Sequence, residues 1–304
     1  MTALAPQAML PALQRLRQFL HLAVLPAYDA ACAGALPGAV PWPAILAAIT
    51  DGQDLMLSRR WRFSDRRMLP VLLEEILCHH DYYAETAMAE PRILDCGANF
   101  GLATYYFTRS HPTARIEAFE PNPALADVLA LNLQRNNFAN VTLHRVAVSD
   151  RDGRMPFHVS QKEDAASSLL AGRPPDDAVP VMVDTVDIRG LLTRPVSLLK
   201  MDIEGVEAEV LAHAGPLLRQ CETIICETHA VDGRNTLLSV LNTLDVAGFG
   251  WAVARSLWDE GQDRFRLART VDKARSYCVF ARRKGDQPEA GAVPGLPDKR
   301  GYQR

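Results

Sequence analysis

The sequence has no cluster of lysine and arginine of the kind that follows a nucleic-acid backbone. Its 33 basic residues are outnumbered by 36 acidic ones, which gives a formal net charge of −3. Proteins that bind DNA or RNA present a dense patch of positive charge. The composition therefore predicts a small-molecule or glycan partner and no nucleic acid.

Cysteine pairs with the spacing of a metal or redox site are also missing. The six cysteines are scattered, and no two of them form a C-x-x-C pair. Three lie in apolar runs typical of strands, namely Cys96, Cys226 and Cys278. This usage is typical of a reduced protein and not of a disulfide scaffold or a zinc site.

A signal peptide or a membrane-spanning helix needs a long apolar block, and the sequence lacks one at its N-terminus. No basic region precedes an apolar block there, and Arg15, Arg17 and His21 interrupt the most apolar stretch. We therefore predict neither a signal peptide nor a membrane span, and we expect the protein to be cytoplasmic.

Residues 1–88 predict an N-terminal helical extension. Apolar residues from Met9 to Leu20 are spaced three and four apart, as on an amphipathic helix, and a second apolar stripe runs from Val71 to Cys78. The extension would pack on the main domain or on a second subunit, so a homodimer could form through it; an interfacial membrane helix is the alternative. His79 and His80 cannot share one helix face, and they predict a solvated helix end without a metal.

A nucleotide-type turn opens the main domain. Residues 92–96 are apolar enough for a buried parallel strand, and Gly97 and Gly101 bracket a turn that leads into a helix. Glycine allows positive φ and lets a ligand approach the backbone. The free N–H groups at the start of the helix favour a carboxylate or phosphate above the turn.

A second strand supports a ligand site at this turn. It ends at Glu120, about twenty residues after Gly97, which is the spacing at which a βαβ unit presents a carboxylate to a ribose diol. Pro121 follows at once and ends the strand. We therefore expect Glu120 at the carboxyl edge of the sheet, where open α/β sheets bind ligands.

Strand and helix patterns alternate from residue 89 to residue 284, which predicts one α/β domain followed by a disordered, charged tail at 285–304. The strands are expected near residues 92–96, 115–120, 141–148, 155–159, 179–185, 195–201, 222–227, 250–254 and 276–282. The helices are expected near residues 100–109, 123–136, 186–192, 206–218 and 236–247.

Four motifs follow one another along this domain: Asp95-Cys-Gly-Ala-Asn-Phe-Gly101, Phe119-Glu-Pro-Asn122, Ala147-Val-Ser-Asp150 and Lys200-Met-Asp-Ile-Glu-Gly-Val-Glu207. In this order they resemble the motifs of the FkbM family of S-adenosylmethionine-dependent methyltransferases, over about residues 90–255. The resemblance implies a Rossmann-like class I methyltransferase fold, with a mostly parallel seven-stranded sheet and helices on both faces.

The resemblance also implies where S-adenosylmethionine binds. The turn would hold the methionine carboxylate, Asp95 the ammonium group directly or through water, and Glu120 both ribose hydroxyls. The edge at Ala147 can lie against adenine. The cofactor residues carried over by position are Asp95, Gly97, Asn99, Gly101, Glu120 and Asn122.

The catalytic candidates are Asp202, Glu204 and His229, which follow two apolar strands. A hydroxyl is a poor nucleophile, so a base or a metal should help to deprotonate it. We expect the two acids to orient the acceptor or a divalent cation such as Mg²⁺, while His229 or one of the acids takes the proton. The alternative is that Lys200 to Glu204 pairs internally and caps the next helix.

The polar stretch between residues 160 and 180 has little periodicity, and a loop of that length is often functional. In the resembled family a serine-containing loop here approaches the acceptor, so Ser167 and Ser168 are candidates for acceptor contact. A disordered surface loop is the alternative.

Three functions remain open from the sequence. The first is O-methylation of a hydroxyl on a sugar, glycan or secondary metabolite. The second is an NAD(P)-dependent oxidoreductase, although Asn99 replaces the second glycine of G-x-G-x-x-G and no Tyr-x-x-x-Lys pair follows. The third is a non-catalytic cofactor-binding partner in a biosynthetic complex.

Overall fold

A computed structural model describes residues 82–160, 178–229, 236–255 and 276–285, together with Leu72 and Ile76. Several predictions from the sequence lie outside these residues. They are the amphipathic helix of the N-terminal extension, the His79–His80 pair, the loop with Ser167 and Ser168, and the tail after residue 285. None of the helices within the described ranges is long and apolar enough to cross a membrane.

The central sheet has seven strands in the order β3-β2-β1-β7-β8-β10-β9. Its strands are β1 (Arg92–Cys96), β2 (Arg115–Phe119), β3 (Val141–His144), β7 (Val196–Met201), β8 (Cys221–His229), β9 (Phe249–Arg255) and β10 (Ser276–Arg283). The helices between them are α1 (Leu102–Ser110), α2 (Pro123–Asn136), α3 (Ile188–Leu191), α4 (Glu207–Ala214) and α5 (Leu237–Val246), and a 3₁₀ helix (Gly215–Gln220) follows α4.

The strand order reverses between β1 and β7, which places a crevice at the carboxyl ends of these two strands. β1 pairs in parallel with β2 on one side and with β7 on the other. β7 continues in parallel to β8, and β10 is antiparallel to both β8 and β9. The predicted mostly parallel seven-stranded sheet is therefore confirmed. Open sheets of this kind bind ligands where the order reverses.

Both faces of the sheet are buried, as the apolar runs in its strands predict. Ile93 of β1 belongs to a core cluster with Tyr105 and Phe107 of α1. The next residue, Leu94, belongs to a second cluster, with Leu211 of α4 and Leu244 of α5. Since neighbouring residues of a strand point to opposite faces, helices cover the sheet on both sides.

The single strand predicted near 141–148 is two strands in the structure. β3 ends at His144, and residues Ala147–Ser149 form a separate strand, β4, in a second sheet with the order β4-β6-β5. The other two strands of that sheet are β5 (Gly153–Val159) and β6 (Val179–Asp187). The last bond to β3 runs from the Glu120 N–H to the His144 carbonyl, over 3.0 Å. The next N–H on that side belongs to Asn122, and it donates to the Glu120 carboxylate over 2.8 Å, so the ladder ends there. The chain after β3 then pairs with β6.

Candidate active site

The turn after β1 is fastened to the end of β2. The N–H groups of Gly97 and Ala98 both donate to the Phe119 carbonyl, each over 3.0 Å. Three residues of the turn have positive φ: Gly97 at 80°, Asn99 at 52° and Gly101 at 99°. Asparagine is one of the few non-glycine residues that tolerates this region. The predicted turn is therefore present, with its backbone held by the neighbouring strand.

Gly97 also packs directly against the end of β7. A Cβ atom at this position would lie 1.7 Å from the carbonyl oxygen of Asp202. The Asp202 N–H donates to the Cys96 carbonyl over 3.1 Å, so the backbones of the two strands stay in contact past the end of β7. From the sequence we expected the absence of a side chain at Gly97 to make room for a ligand. In the structure, that space is taken by the Asp202 backbone.

Glu120 is held at the carboxyl edge of β2 by the backbone around it. Its Oε2 accepts the Asn99 N–H and its Oε1 accepts the Asn122 N–H, each over 2.8 Å. Burial raises the pKa of Glu120 to about 7, against the lowering effect of the two N–H groups and of Lys200; the Asp95 charge raises it further. Each oxygen keeps a second lone pair, so two donors from a ligand still find acceptors here.

Other carried-over residues have structural partners of their own. The Asn122 Oδ1 accepts the Ala124 N–H over 3.1 Å and caps α2. Gly101 is the N-cap of α1, and its first turn has no side-chain cap, which leaves N–H groups at the helix start for an anion. Ala147 is 4% exposed and packs with Phe157 and Val183 of the second sheet.

Asp95 is fully buried under the turn. Its Oδ2 accepts the Thr104 hydroxyl over 2.6 Å, and its Oδ1 lies 3.5 Å from the Lys200 ammonium. With none of its surface exposed, Asp95 offers no oxygen that a ligand above the turn could contact directly. We expected Asp95 to organise an ammonium group directly or through water, and that role stays a prediction. In this arrangement its oxygens face Thr104 of α1 and Lys200 of β7.

Lys200 links the turn to the acids, and sequence reasoning missed this role. Its Nζ donates to the Gly97 carbonyl over 2.6 Å and lies 3.2 Å from Oδ2 of Asp202. The same atom is 5.5 Å from the centre of the Tyr82 ring. Burial by itself lowers the pKa of this amine, but the carboxylates of Asp202 and Asp95 outweigh it and hold the pKa above its usual range.

The three catalytic candidates meet in space. His229 Nε2 lies 3.5 Å from Oε2 of Glu204 and 4.0 Å from Oδ1 of Asp202. Glu227, two residues before His229 on β8, is 3.8 Å away through Oε1. β7 has ended at Met201, and Glu204 adopts a φ of 58°, so the chain turns there and brings Glu204 toward His229. We name Asp202, Glu204, Glu227 and His229 the acid–histidine cluster.

Glu207 holds the histidine of this cluster from behind, and we did not predict it. Its Oε1 lies 3.1 Å from His229 Nδ1 and also accepts the Gly205 N–H over 2.9 Å. The Glu207 side chain is completely buried. An acid is common in the first turn of a helix, where it interacts favourably with the helix dipole. The sequence alone therefore gives no sign that Glu207 also contacts His229.

The charges of the cluster perturb one another. Burial by itself lowers the pKa of His229, but Glu204, Glu207 and Glu227 outweigh it and hold the pKa well above its usual range. Burial raises the pKa of Glu204 well above its usual range and that of Glu227 to about 7. Glu207 is the exception, since its bond to His229 keeps its pKa low despite burial.

The predicted alternative for this segment is only partly correct. Lys200 and Asp202 do pair internally. Helix α4, however, has Val206 at its N-cap and no side-chain cap, so Asp202 and Glu204 do not serve that purpose. The carboxylates of Asp202 and Glu204 instead lie close to the His229 ring.

A family model for the methyltransferase FkbM domain matches residues 95–250, which is about half of the 304-residue chain. The match begins at Asp95 of β1 and extends into β9. It includes the acid–histidine cluster.

Three relatives are similar over much of this region. Methyltransferase sdnD of Sordaria araneosa is 28% identical over 237 residues, which are 66% of this chain and 90% of that protein. The 2-O-methyltransferase NoeI of Sinorhizobium fredii is 29% identical over 51% of this chain and 71% of its own. The 31-O-demethyl-FK506 methyltransferase FkbM of Streptomyces tacrolimicus is 28% identical over 46% of this chain and 66% of its own.

The contact between Gly97 and Asp202 predicts a sharp sensitivity to substitution. In Gly97→Ala, either the turn or the end of β7 must move, because the new Cβ would overlap the Asp202 carbonyl. We expect the free energy of unfolding, measured by urea denaturation, to fall by at least about 2 kcal/mol.

Gly190→Ala is the matched control, since no atom lies within 4 Å of a Cβ at that position. It should be no less stable than the unmodified protein, because Gly190 lies in α3 and alanine favours a helix over glycine. A Gly97→Ala protein of unchanged stability would contradict the packing described here.

Proposed function

Because this chain belongs to the FkbM family of methyltransferases, which use S-adenosylmethionine, we propose that it methylates a hydroxyl oxygen of a sugar, glycan or secondary metabolite. The observation that carries the proposal is the contact of the acid–histidine cluster with the glycine turn through Asp202. The family excludes the NAD(P)-dependent oxidoreductase considered above. Two relatives whose names specify O-methyl transfer, NoeI and FkbM, support oxygen as the acceptor atom.

The residues around the turn suit the parts of S-adenosylmethionine. The two oxygens of Glu120, fixed by backbone N–H groups, would accept the ribose hydroxyls. The uncapped start of α1 would receive the methionine carboxylate, and the edge at Ala147 would lie near adenine. When bound, the cofactor supplies a methyl group on a positively charged sulfur.

The acid–histidine cluster would then act on the acceptor. Asp202 and Glu204 orient the hydroxyl, and its proton passes to a carboxylate of the cluster as the oxygen takes the methyl group. Lys200 keeps Asp202 beside the turn, and Glu207 keeps the His229 ring in place. Positioning of this kind supplies much of the acceleration in a displacement reaction.

A direct test uses S-adenosylmethionine labelled with ¹³C in its methyl group and a panel of sugars, glycans and hydroxylated metabolites. We expect S-adenosylhomocysteine to form with at least one member and the label to appear in NMR spectra as an O-methyl carbon. Labelling of nitrogen or carbon would contradict O-methyl transfer. Cofactor binding without turnover on any acceptor would favour the non-catalytic partner.

The raised pKa of Glu120 predicts how cofactor affinity changes with pH. Ribose hydroxyls donate best to the ionised carboxylate, which forms as pH rises through about 7. Affinity for S-adenosylmethionine, measured by calorimetry, should therefore increase about tenfold between pH 6 and pH 8.

Removing the carboxylate in Glu120→Ala should weaken binding of S-adenosylmethionine by about 2 to 3 kcal/mol at pH 8.

Glu120→Gln should flatten the pH dependence. Glu117→Gln is the control, because the nearby His144 ring, 3.6 Å away, and the Arg92 guanidinium keep the pKa of Glu117 at about 2 despite burial, so it stays ionised throughout. Since the folded protein holds the Glu120 proton more tightly than the unfolded chain, this group should also lower stability as pH rises from 4.5 to 7. A pH-independent affinity in the unmodified protein would remove the ribose assignment.

Asp202→Asn should separate catalysis from cofactor binding. We expect turnover of an accepted substrate to fall about 100-fold or more, since this acid orients the hydroxyl. The dissociation constant for S-adenosylmethionine should change far less. Asp245→Asn, an exposed acid of α5 paired with Lys284, is the control and should behave like the unmodified protein. Equal losses of turnover and cofactor affinity in Asp202→Asn would mean that Asp202 is structural.

A further inference from the structure

The acid–histidine cluster has the composition and geometry of a metal site. We propose that Asp202, Glu204 and His229 bind one divalent cation, best represented by Mn²⁺, and that this cation takes the acceptor hydroxyl as a further ligand. The binding site follows from the geometry of the three side chains alone. Its role toward the acceptor rests on the proposed O-methyl transfer.

The three donor atoms are close enough to share one ion. Glu204 Oε2 and Asp202 Oδ1 lie 3.5 and 4.0 Å from His229 Nε2, and all three donor atoms lie within 4.8 Å of one another. Around a small dication with bonds of about 2.1 Å, neighbouring ligands are about 3 Å apart and opposite ones about 4 Å. Small side-chain rotations would bring all three into range.

The histidine is held in the orientation that a metal ligand needs. Glu207 Oε1 lies 3.1 Å from Nδ1, on the side of the ring away from the other acids. Glu207 is itself fixed by the Gly205 N–H and is completely buried. A carboxylate that accepts Nδ1–H directs the opposite ring nitrogen at a cation, as in many metalloproteins.

The local charge balance also favours a dication. Four carboxylates surround the His229 ring, those of Asp202, Glu204, Glu207 and Glu227. Lys200 reaches Asp202 of the same group from the side of the turn. A dication at Nε2 would face three carboxylates at short range, where the local dielectric is low and the attraction strong.

The ligand types indicate which cations to test. Carboxylate oxygens suit Mg²⁺, Ca²⁺ and Mn²⁺, whereas an imidazole nitrogen favours a transition metal, so Mn²⁺ satisfies both. Three protein ligands leave open positions in an octahedral shell. A hydroxyl bound there loses its proton more easily. Adjacent open positions would suit an acceptor with two neighbouring oxygens, such as the vicinal diol of a sugar.

The test measures metal binding directly, without cofactor or acceptor. The full chain, first treated with a chelator, is titrated with MnCl₂ by calorimetry and followed by the electron paramagnetic resonance of Mn²⁺. We expect one ion per chain. Glu204→Gln should weaken its binding at least tenfold. Glu207→Gln, which removes the negative charge behind His229 without removing a metal ligand, should weaken it about 10- to 100-fold.

Glu209→Gln is the matched control, because this exposed acid lies on α4 two residues after Glu207. It should bind Mn²⁺ as the unmodified protein does, and circular dichroism should show that all variants are folded. Absence of a stoichiometric site, or equal binding by Glu204→Gln and Glu209→Gln, would overturn the proposal.

Activity separates this proposal from the proposed function. If methyl transfer occurs and the chain binds no metal, the metal site alone is refuted. If Mn²⁺ binds but its removal leaves methyl transfer unchanged, the role of the cation toward the acceptor is refuted and the site remains. Restoration of transfer by Mn²⁺ in chelator-treated protein, and not in Glu204→Gln, is the result we expect.

Discussion

The approach of two strand ends at Gly97 and Asp202 is the constraint on which the site depends. Only glycine allows the Asp202 carbonyl so close to the turn, and the Asp202 N–H extends the pairing of β7 with β1. This approach places the acid–histidine cluster, the proposed acceptor side, next to the glycine turn, the proposed cofactor side. The chemistry proposed for the chain requires the two to be neighbours, since the acceptor oxygen must meet the methyl group in line.

The charges of Asp95, Lys200 and Asp202 contribute more to the positioning of neighbouring groups than to the stability of the fold. Lys200 is 2% exposed and lies between Asp95 and Asp202, and burial of such groups has a desolvation cost that ion pairing only partly offsets. The Lys200 ammonium contacts both the Gly97 carbonyl and Oδ2 of Asp202, and so it holds these two groups close together. Glu207 does the same for His229 on the far side of the cluster. The groups proposed to act on the acceptor are therefore oriented by buried partners rather than by solvent-exposed ones.

The sequence predicted those parts of the site that depend on residues close to one another along the chain. Helix α2 was predicted at 123–136 and is found at Pro123–Asn136, and the spacing from Gly97 placed Glu120 at its strand end. The break between His144 and Ala147 could not be read locally, because it depends on where β2 stops donating hydrogen bonds. Lys200 was missed because its partner at Gly97 is 103 residues away, and Glu207 because its partner His229 is 22 residues away.

The most direct test of this account is a crystal structure of the protein with S-adenosylhomocysteine. The account predicts that the ribose hydroxyls donate to the two oxygens of Glu120 and that the sulfur faces Asp202, Glu204 and His229. A sulfur that points away from these three residues, or a ribose that does not contact Glu120, would contradict it.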